Sequence, residues 1–200
     1  MENGLAKILK GYHSFREKYA LADKSVMQYL SDYGQSPKVM VVACCDSRVD
    51  PALIMQCDPG DLFVVRNVAN IVPPYEIDGA HHGTSAALEF GVCRLGVSHL
   101  ILLGHSQCAG IQALINNDSL DKDDFISTWV SLINVDNLTS KDGDRCAKEA
   151  LHYSHQNCMT FPWIKERVEQ NTLALHLWFF DIKTGQIHAY SEERDIYEPL

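Results

Sequence analysis

The chain contains no apolar run near the roughly 18 residues that a membrane-spanning helix needs. Charged residues interrupt the first thirty positions, so the apolar core of a signal peptide does not form. Lysine and arginine total 17 against 26 acidic residues, a net charge of −9, and they form no cluster of the kind that binds nucleic acid. We therefore expect a cytoplasmic protein without membrane or nucleic-acid partners.

Cysteine is present but sparse, with seven residues spread along the chain and no C-x-x-C pair. This spacing does not suit a small disulfide scaffold, and it favours a reducing compartment. There is also no internal repeat and no interdomain linker. With 200 residues, of which 46% are hydrophobic, the chain is long enough to bury a full core. We expect one domain over residues 1–200, with a helical arm at 1–34 and an α/β core at 35–200.

Two short apolar runs end abruptly in reactive side chains. Residues 39–43 lead into Cys44-Cys45-Asp46-Ser47-Arg48, and residues 100–103 lead into Gly104-His105-Ser106-Gln107-Cys108. A short, continuous apolar run is typical of a parallel strand that is covered on both faces. Because ligands bind beyond the carboxyl ends of such strands, both groups should lie at one edge of the sheet.

The rest of the sequence predicts helices alternating with strands. Apolar spacing indicates one or two amphipathic helices before Gly34, which could pack on a second subunit or on their own sheet. Further helices are predicted at 51–56, 84–96, 145–158 and 162–170. Another helix should be capped by Ser106 and run through Ile115, and one more should be built on Phe125, Trp129 and Leu132. Strands are predicted at 61–67 and 98–103, a surface loop at 116–124, and a hairpin of 173–181 with 186–190. These elements predict an α/β fold, with a mostly parallel four- to five-stranded sheet flanked by helices.

The two strand ends supply three ligands of the kind that zinc prefers. A catalytic zinc ion keeps three protein ligands and one open position, and Cys44, His105 and Cys108 make that number. Side chains alternate along an extended chain, so Cys45 should point away from Cys44 and stay outside the coordination sphere. The remaining cysteines are interpreted as small buried hydrophobic residues. The pair His81-His82 is expected to be exposed or hydrogen-bonded within its loop.

Cys44-x-Asp46-x-Arg48 together with His105-x-x-Cys108 resembles the zinc site of the β-class carbonic anhydrases. The likeness extends over nearly the whole chain. Other segments resemble the plant-type branch of that family, including its bacterial members: Gln35-Ser36-Pro37, residues 59–70, Val72-Pro73-Pro74-Tyr75 and Leu173-Ala174-Leu175-His176. Phe90 departs from the tyrosine that is common in this branch.

The resemblance implies the reversible hydration of CO2 to bicarbonate and a proton by a zinc-bound hydroxide. It implies that Asp46 accepts a hydrogen bond from that hydroxide and that Arg48 holds the Asp46 carboxylate in place. It further implies that Gln35 donates to CO2 or bicarbonate, while Phe63 and Phe90 wall an apolar pocket supplied partly by a partner subunit. The expected assembly is a homodimer or a higher even oligomer.

Three other interpretations remain open at this point. Relatives with the same ligands hydrolyse CS2 or COS instead of hydrating CO2. A non-catalytic zinc-thiolate domain would show a closed site with four ligands. A redox role for Cys44-Cys45 is disfavoured, because adjacent cysteines form a strained ring.

Overall fold

The computed structural model describes residues 4–116, 124–134 and 138–200. The helices are α1 Gly4–Tyr19, α2 Val26–Tyr33, α3 Pro51–Ile54, α4 Gly83–Glu89, α5 Ala109–Ile115, α6 Phe125–Val130, α7 Gly143–Cys158 and α8 Pro162–Glu169, with a 3₁₀ turn at Val68–Asn70 and a π-helical segment at Phe90–Leu95. The strands are β1 Val39–Cys44, β2 Leu62–Asn67, β3 His99–His105, β4 Ala174–Asp181, β5 Gln186–Ser191 and β6 Ile196–Pro199.

One sheet organises the fold, with the strand order β2-β1-β3-β4-β5-β6. The first four strands are parallel, and β5 and β6 are antiparallel to their neighbours. The predicted α/β class and the mostly parallel sheet are therefore confirmed. The predicted strand count was one short, because β6 has only four residues and ends in Pro199, too short a segment to show an alternating pattern.

The middle of the sheet forms the core. Residues 40–44 of β1 are at most 4% exposed, and β3 is buried from Leu100 to His105. Both strands have parallel neighbours on each side, which explains their unbroken apolar character. Since β1 and β3 pair directly, their carboxyl ends lie side by side.

Helix ends follow the predicted capping residues in part. Asp50 caps α3 through a 3.2 Å bond from the Leu53 N–H, with Pro51 at the first helical position, as expected. The helix predicted over 84–96 is instead α4 followed by the π-helical segment, which ends at Gly96 with φ of 68°. A π-helical turn shows the same apolar spacing as an α-helix over so short a length, so the pattern could not separate them.

Two predictions around the end of β3 were wrong. The strand runs to His105, two residues beyond the predicted end, and α5 begins at Ala109 with Cys108, not Ser106, at the cap position. Ser106 instead joins β3 to the end of β4. Its N–H donates to the Phe180 carbonyl at 2.9 Å, and its hydroxyl accepts from the Ile182 N–H at 2.9 Å.

The helix α6 lies beside α5, but not through all the residues that we expected. Trp129 is partly buried and donates its indole N–H to the Val68 carbonyl at 2.8 Å. Phe125 is 96% exposed, because it is the first residue of the helix and points away from the contact. Most of the loop predicted at 116–124 lies outside the described residues.

The amino-terminal arm, predicted as one or two helices, has two, and the second ends at Tyr33 with Gly34 at its carboxyl cap. No residue of α1 is buried. Near its carboxyl end, Phe15 and Tyr19 line an open cavity together with Leu62 and Val64 of β2. The carboxyl end of α1 is held to the loop before β2, where the Tyr19 hydroxyl donates to Asp58 at 2.5 Å and Lys18 lies 3.5 Å from the same carboxylate. None of the helices in the described part of the chain is both long and apolar enough to cross a membrane.

Candidate metal centre

The structure brings Cys44, His105 and Cys108 together at the carboxyl ends of β1 and β3. One ligand atom from each lies within 4.8 Å of the others, and all three residues are buried. The two sulfur atoms are 3.9 Å apart. Two sulfurs each about 2.3 Å from a tetrahedral zinc ion would be about 3.8 Å apart, so the thiol pair fits that ion.

The orientation of His105 also fits a metal ion. Its Nδ1 lies 2.9 Å from the carbonyl oxygen of Ser106, which accepts the ring N–H. This bond places the lone pair on Nε2, an atom that is buried and has no hydrogen-bond partner. A buried nitrogen without a partner costs free energy, and a metal ion at the thiol pair would satisfy it.

The two thiols influence each other strongly. The hydrogen-bonding contact with Cys108 lowers the pKa of Cys44. The same contact and burial raise the pKa of Cys108. Without a metal, the contact therefore favours a proton shared between the two sulfur atoms, and a divalent cation would stabilise the second thiolate.

Asp46 and Arg48 form a two-pronged ion pair directly after Cys44. Arg48 Nε lies 3.0 Å from Asp46 Oδ1 and Nη2 lies 2.7 Å from Oδ2, while the Arg48 N–H also donates to Oδ1 at 2.9 Å. These bonds hold the pKa of Asp46 well below its usual range. The carboxylate is therefore ionised and fixed in orientation beside the ligands.

Arg66 holds the chain that carries these residues, and spacing alone did not reveal it. From β2 its guanidinium donates to the carbonyl oxygens of Cys44 at 2.9 Å and Asp46 at 2.7 Å. It also pairs with the Asp50 carboxylate at 2.8 Å. One side chain thus fixes the loop between β1 and α3 at three points.

A small cavity opens beside the ligands. Its volume is about 270 Å³, and its lining is mostly apolar: Cys44, Cys45, Asp46, Val68, Ala109, Gly110, Ala113 and Ile126. Gly110 allows α5 to approach closely, since a Cβ there would lie 2.7 Å from Val68 Cγ1 and 2.9 Å from Ala69 Cβ. Gly104 likewise allows close packing, because a Cβ there would lie 3.1 Å from Leu151.

The predicted substrate residues do not line this cavity in the single chain. Gln35 is exposed and precedes β1, whereas Cys44 ends that strand. Phe63 pairs with Met40 in the first half of β1, and its ring stacks on Phe90 at 5.7 Å. Their role toward CO2, which the resemblance assigns partly to a partner subunit, stays a prediction.

The residues set aside by sequence reasoning mostly occupy the expected positions. Cys45 is exposed and does not belong to the ligand group, and all seven cysteines are free thiols. Cys146 and Cys158 are buried, but Cys93 is exposed and so was wrongly assigned to the core. His82 bonds to Asp78 within its loop at 2.8 Å.

Comparisons with known proteins agree with this centre. The family profile described as "Carbonic anhydrase" matches residues 39–187. A carbonic anhydrase of Synechocystis is 33% identical over 197 residues, covering 93% of this chain and 71% of the relative. Beta carbonic anhydrase 5, chloroplastic, of Arabidopsis thaliana is 38% identical over 178 residues, covering 78% of this chain and 57% of the relative. The chain thus spans little more than half the length of that plant protein.

Solved structures show the same fold. The β-carbonic anhydrase CcaA has a TM-score of 0.86 and 31% identity, covering 98% of this chain and 92% of that one. Tetrameric β-carbonic anhydrases from Sordaria macrospora reach a TM-score of 0.79 and 29% identity, covering 94% of this chain and 97% of theirs. Fold and candidate ligands together define an α/β protein of the carbonic anhydrase type with a site that could hold a metal ion. The chain belongs to the β-class carbonic anhydrase family.

Proposed function

We propose that the protein catalyses the reversible hydration of CO2 to bicarbonate and a proton with a zinc ion held by Cys44, His105 and Cys108. The observation that carries the proposal is the buried, unpartnered Nε2 of His105 beside two thiols 3.9 Å apart. No fourth His, Cys, Asp or Glu joins this group in the described ranges, and three protein ligands with one open position are typical of a catalytic zinc. When bound there, zinc supplies a Lewis acid that lowers the pKa of water toward neutrality.

The residues around the ligands would orient the reactants. The ionised Asp46 can only accept hydrogen bonds, so it would turn a water or hydroxide to present its lone pair to CO2. Arg48 keeps that carboxylate in place through the two-pronged pair, whose Asp46 side chain is only 15% exposed. The small apolar cavity beside Asp46 suits a nonpolar linear molecule, since the side chains of Val68, Ala113 and Ile126 offer no hydrogen-bonding groups.

We further propose that the functional unit is a homo-oligomer in which Gln35, Phe63 and Phe90 complete the pocket of a neighbouring subunit. The exposed α1 and the 46% exposed ring of Phe90 support this assembly, because single chains rarely leave such surface uncovered. The name of the Sordaria macrospora relatives, which describes them as tetrameric, also supports it.

Substitution of one ligand tests the proposal. Cys108→Ser should lose zinc and lower CO2 hydration by at least about 1000-fold, because a serine hydroxyl is a poor zinc ligand at neutral pH. Cys158→Ser, at an equally buried thiol outside the group, is the matched control and should keep both. Circular dichroism should show folded protein in both variants.

The same preparations separate the alternatives. A wild-type protein that releases sulfide from COS or CS2 faster than it hydrates CO2 would replace the proposed substrate. A protein that binds one zinc ion, unfolds when the ion is removed and catalyses neither reaction would be a structural zinc domain, and the proposed activity would be wrong.

A further inference from the structure

Gln107 has an unusual backbone conformation between two of the metal ligands. It lies in the segment His105-Ser106-Gln107-Cys108, and its φ is +55°. A residue other than glycine adopts this left-handed region only where surrounding contacts hold it there. The conformation turns the chain at the end of β3, so that Cys108 comes back beside Cys44.

Both peptide groups of Gln107 are held by side chains from other segments. Its N–H donates to Asp144 Oδ1 at 2.8 Å, and its carbonyl accepts from Arg48 Nη2 at 3.2 Å. Arg48 is also the partner of Asp46. A continuous set of hydrogen bonds therefore runs from Asp144 through the Gln107 backbone to Arg48 and Asp46.

Asp144 belongs to a well-packed helix and is not the residue that caps it. It belongs to the first turn of α7, which has 16 residues and packs on β3 and β4 through buried side chains such as Cys146 and Ala147. The cap of α7 is Asp142, whose Oδ1 accepts from the Arg145 N–H at 2.8 Å. The Asp144 carboxylate is thus available to bond Gln107.

We propose that Asp144 is a positioning residue of the metal centre. Its carboxylate fixes the turn between His105 and Cys108 in the geometry that both ligands need. Through the Gln107 carbonyl, it also fixes one of the acceptors that hold Arg48 beside Asp46. The inference rests on the proposed function only in that the centre binds zinc.

A purely structural role would look different. An acidic side chain in the first turn also stabilises a helix through its dipole, and that effect would concern α7 alone. Asp142→Ala removes the cap of the same helix without touching Gln107, so it is a matched control for helix stability. Asp144→Asn removes the charge but keeps an oxygen that can accept from the Gln107 N–H.

The experiment measures the rate of zinc release from the loaded protein to excess EDTA. Loss of a residue that orients metal ligands typically weakens metal binding by about 10- to 100-fold, so release from Asp144→Ala should be at least about 10-fold faster than from wild type. Asp144→Asn should stay within about 3-fold of wild type. Asp142→Ala should unfold at a lower urea concentration but release zinc at the wild-type rate.

The cobalt-loaded proteins provide a second readout. The visible absorption bands of Co²⁺ in the centre should shift in Asp144→Ala and remain at wild-type positions in Asp144→Asn and Asp142→Ala.

For CO2 hydration, Asp144→Ala should lower kcat while KM changes little, because Asp144 does not line the cavity. If Asp144→Ala does not fold, Asp144→Ser tests the same contact, since its shorter side chain cannot reach the Gln107 N–H.

Three results would overturn the proposal: unchanged zinc release in Asp144→Ala, equally fast release in Asp142→Ala, or failure of Asp144→Asn to restore slow release. Zinc release does not depend on which reaction the protein catalyses. A wild-type protein that binds zinc but does not hydrate CO2 would therefore contradict the proposed function and leave this comparison intact.

Discussion

The carboxyl ends of β1 and β3 differ from the helix α1 in burial and in the number of contacts with the rest of the chain. At the strand ends, the three ligands are buried, and side chains from β2 and α7, together with a backbone carbonyl of β4, bond the backbone around them. The helix α1 has 16 residues and buries none of them. The ligand group is therefore assembled within one chain, whereas apolar side chains of α1 such as Ile8 are exposed.

The first prediction concerns a substitution that weakens the loop after β1. Arg66→Met removes three donated hydrogen bonds, two of them to the carbonyls of Cys44 and Asp46, and leaves the Asp50 carboxylate without its ion-pair partner. The free energy of unfolding of the zinc-loaded protein should fall by about 2–3 kcal/mol, since hydrogen bonds from a charged group contribute about that much. Urea denaturation would measure the loss.

An exposed arginine provides the control for Arg66. Arg194 pairs with Glu198 at 2.8 Å, but its side chain is 65% exposed. Arg194→Met should change the free energy of unfolding by less than about 0.5 kcal/mol, as solvent-exposed ion pairs contribute little. Equal losses in the two variants would show that the loop after β1 does not depend on Arg66.

Sequence reasoning pointed to the three candidate ligands, which the structure brings together, but not to the side chains that hold the backbone around them. Cys44, His105 and Cys108 are visible because they directly follow apolar strands, and an edge of a parallel sheet brings such ends together. Arg66 and Asp144 act on backbone carbonyl and N–H groups of residues far away in the chain, and no spacing rule indicates such contacts. Only the three-dimensional arrangement reveals them.

The errors in the fold have a similar physical origin. The end of β3 was misplaced because the apolar run stops at Leu103, whereas Gly104 and His105 continue the strand and Gly104 packs against Leu151. Cys108 occupies the cap position of α5 without a side-chain cap bond, so the usual capping signal is missing. The buried strands were predictable, because their composition is determined by burial on both faces.

The second prediction concerns protons at the thiol pair. Contact with Cys108 lowers the pKa of Cys44, and the same contact with burial raises the pKa of Cys108, so the pair shares one proton that it can still lose. At about pH 6, below the range in which zinc-bound water ionises, zinc binding to the metal-free protein should therefore release about one proton, and its apparent association constant should rise about 10-fold per pH unit around that pH. Calorimetry in buffers of different ionisation enthalpy would count the protons.

A release of two protons would contradict that assignment, since it would mean that both thiols titrate independently. Cys158→Ser is a suitable control, because burial raises the pKa of that thiol to about 12 and it lies outside the ligand group. The variant should release the same number of protons as wild type.

The smallest effect is expected in α1, where the same substitution can be compared with a buried helix. Ile8 is 68% exposed in α1, and Ile164 is fully buried in α8. Ile164→Ala should lower the free energy of unfolding by about 2–4 kcal/mol. Ile8→Ala should change it by less than about 0.5 kcal/mol when the protein is dilute enough to be monomeric.

At higher concentration, sedimentation of Ile8→Ala should show weaker assembly if α1 contacts a second subunit. A loss as large as that of Ile164→Ala at every protein concentration would mean instead that α1 packs on its own subunit, and the contrast between the two regions would disappear.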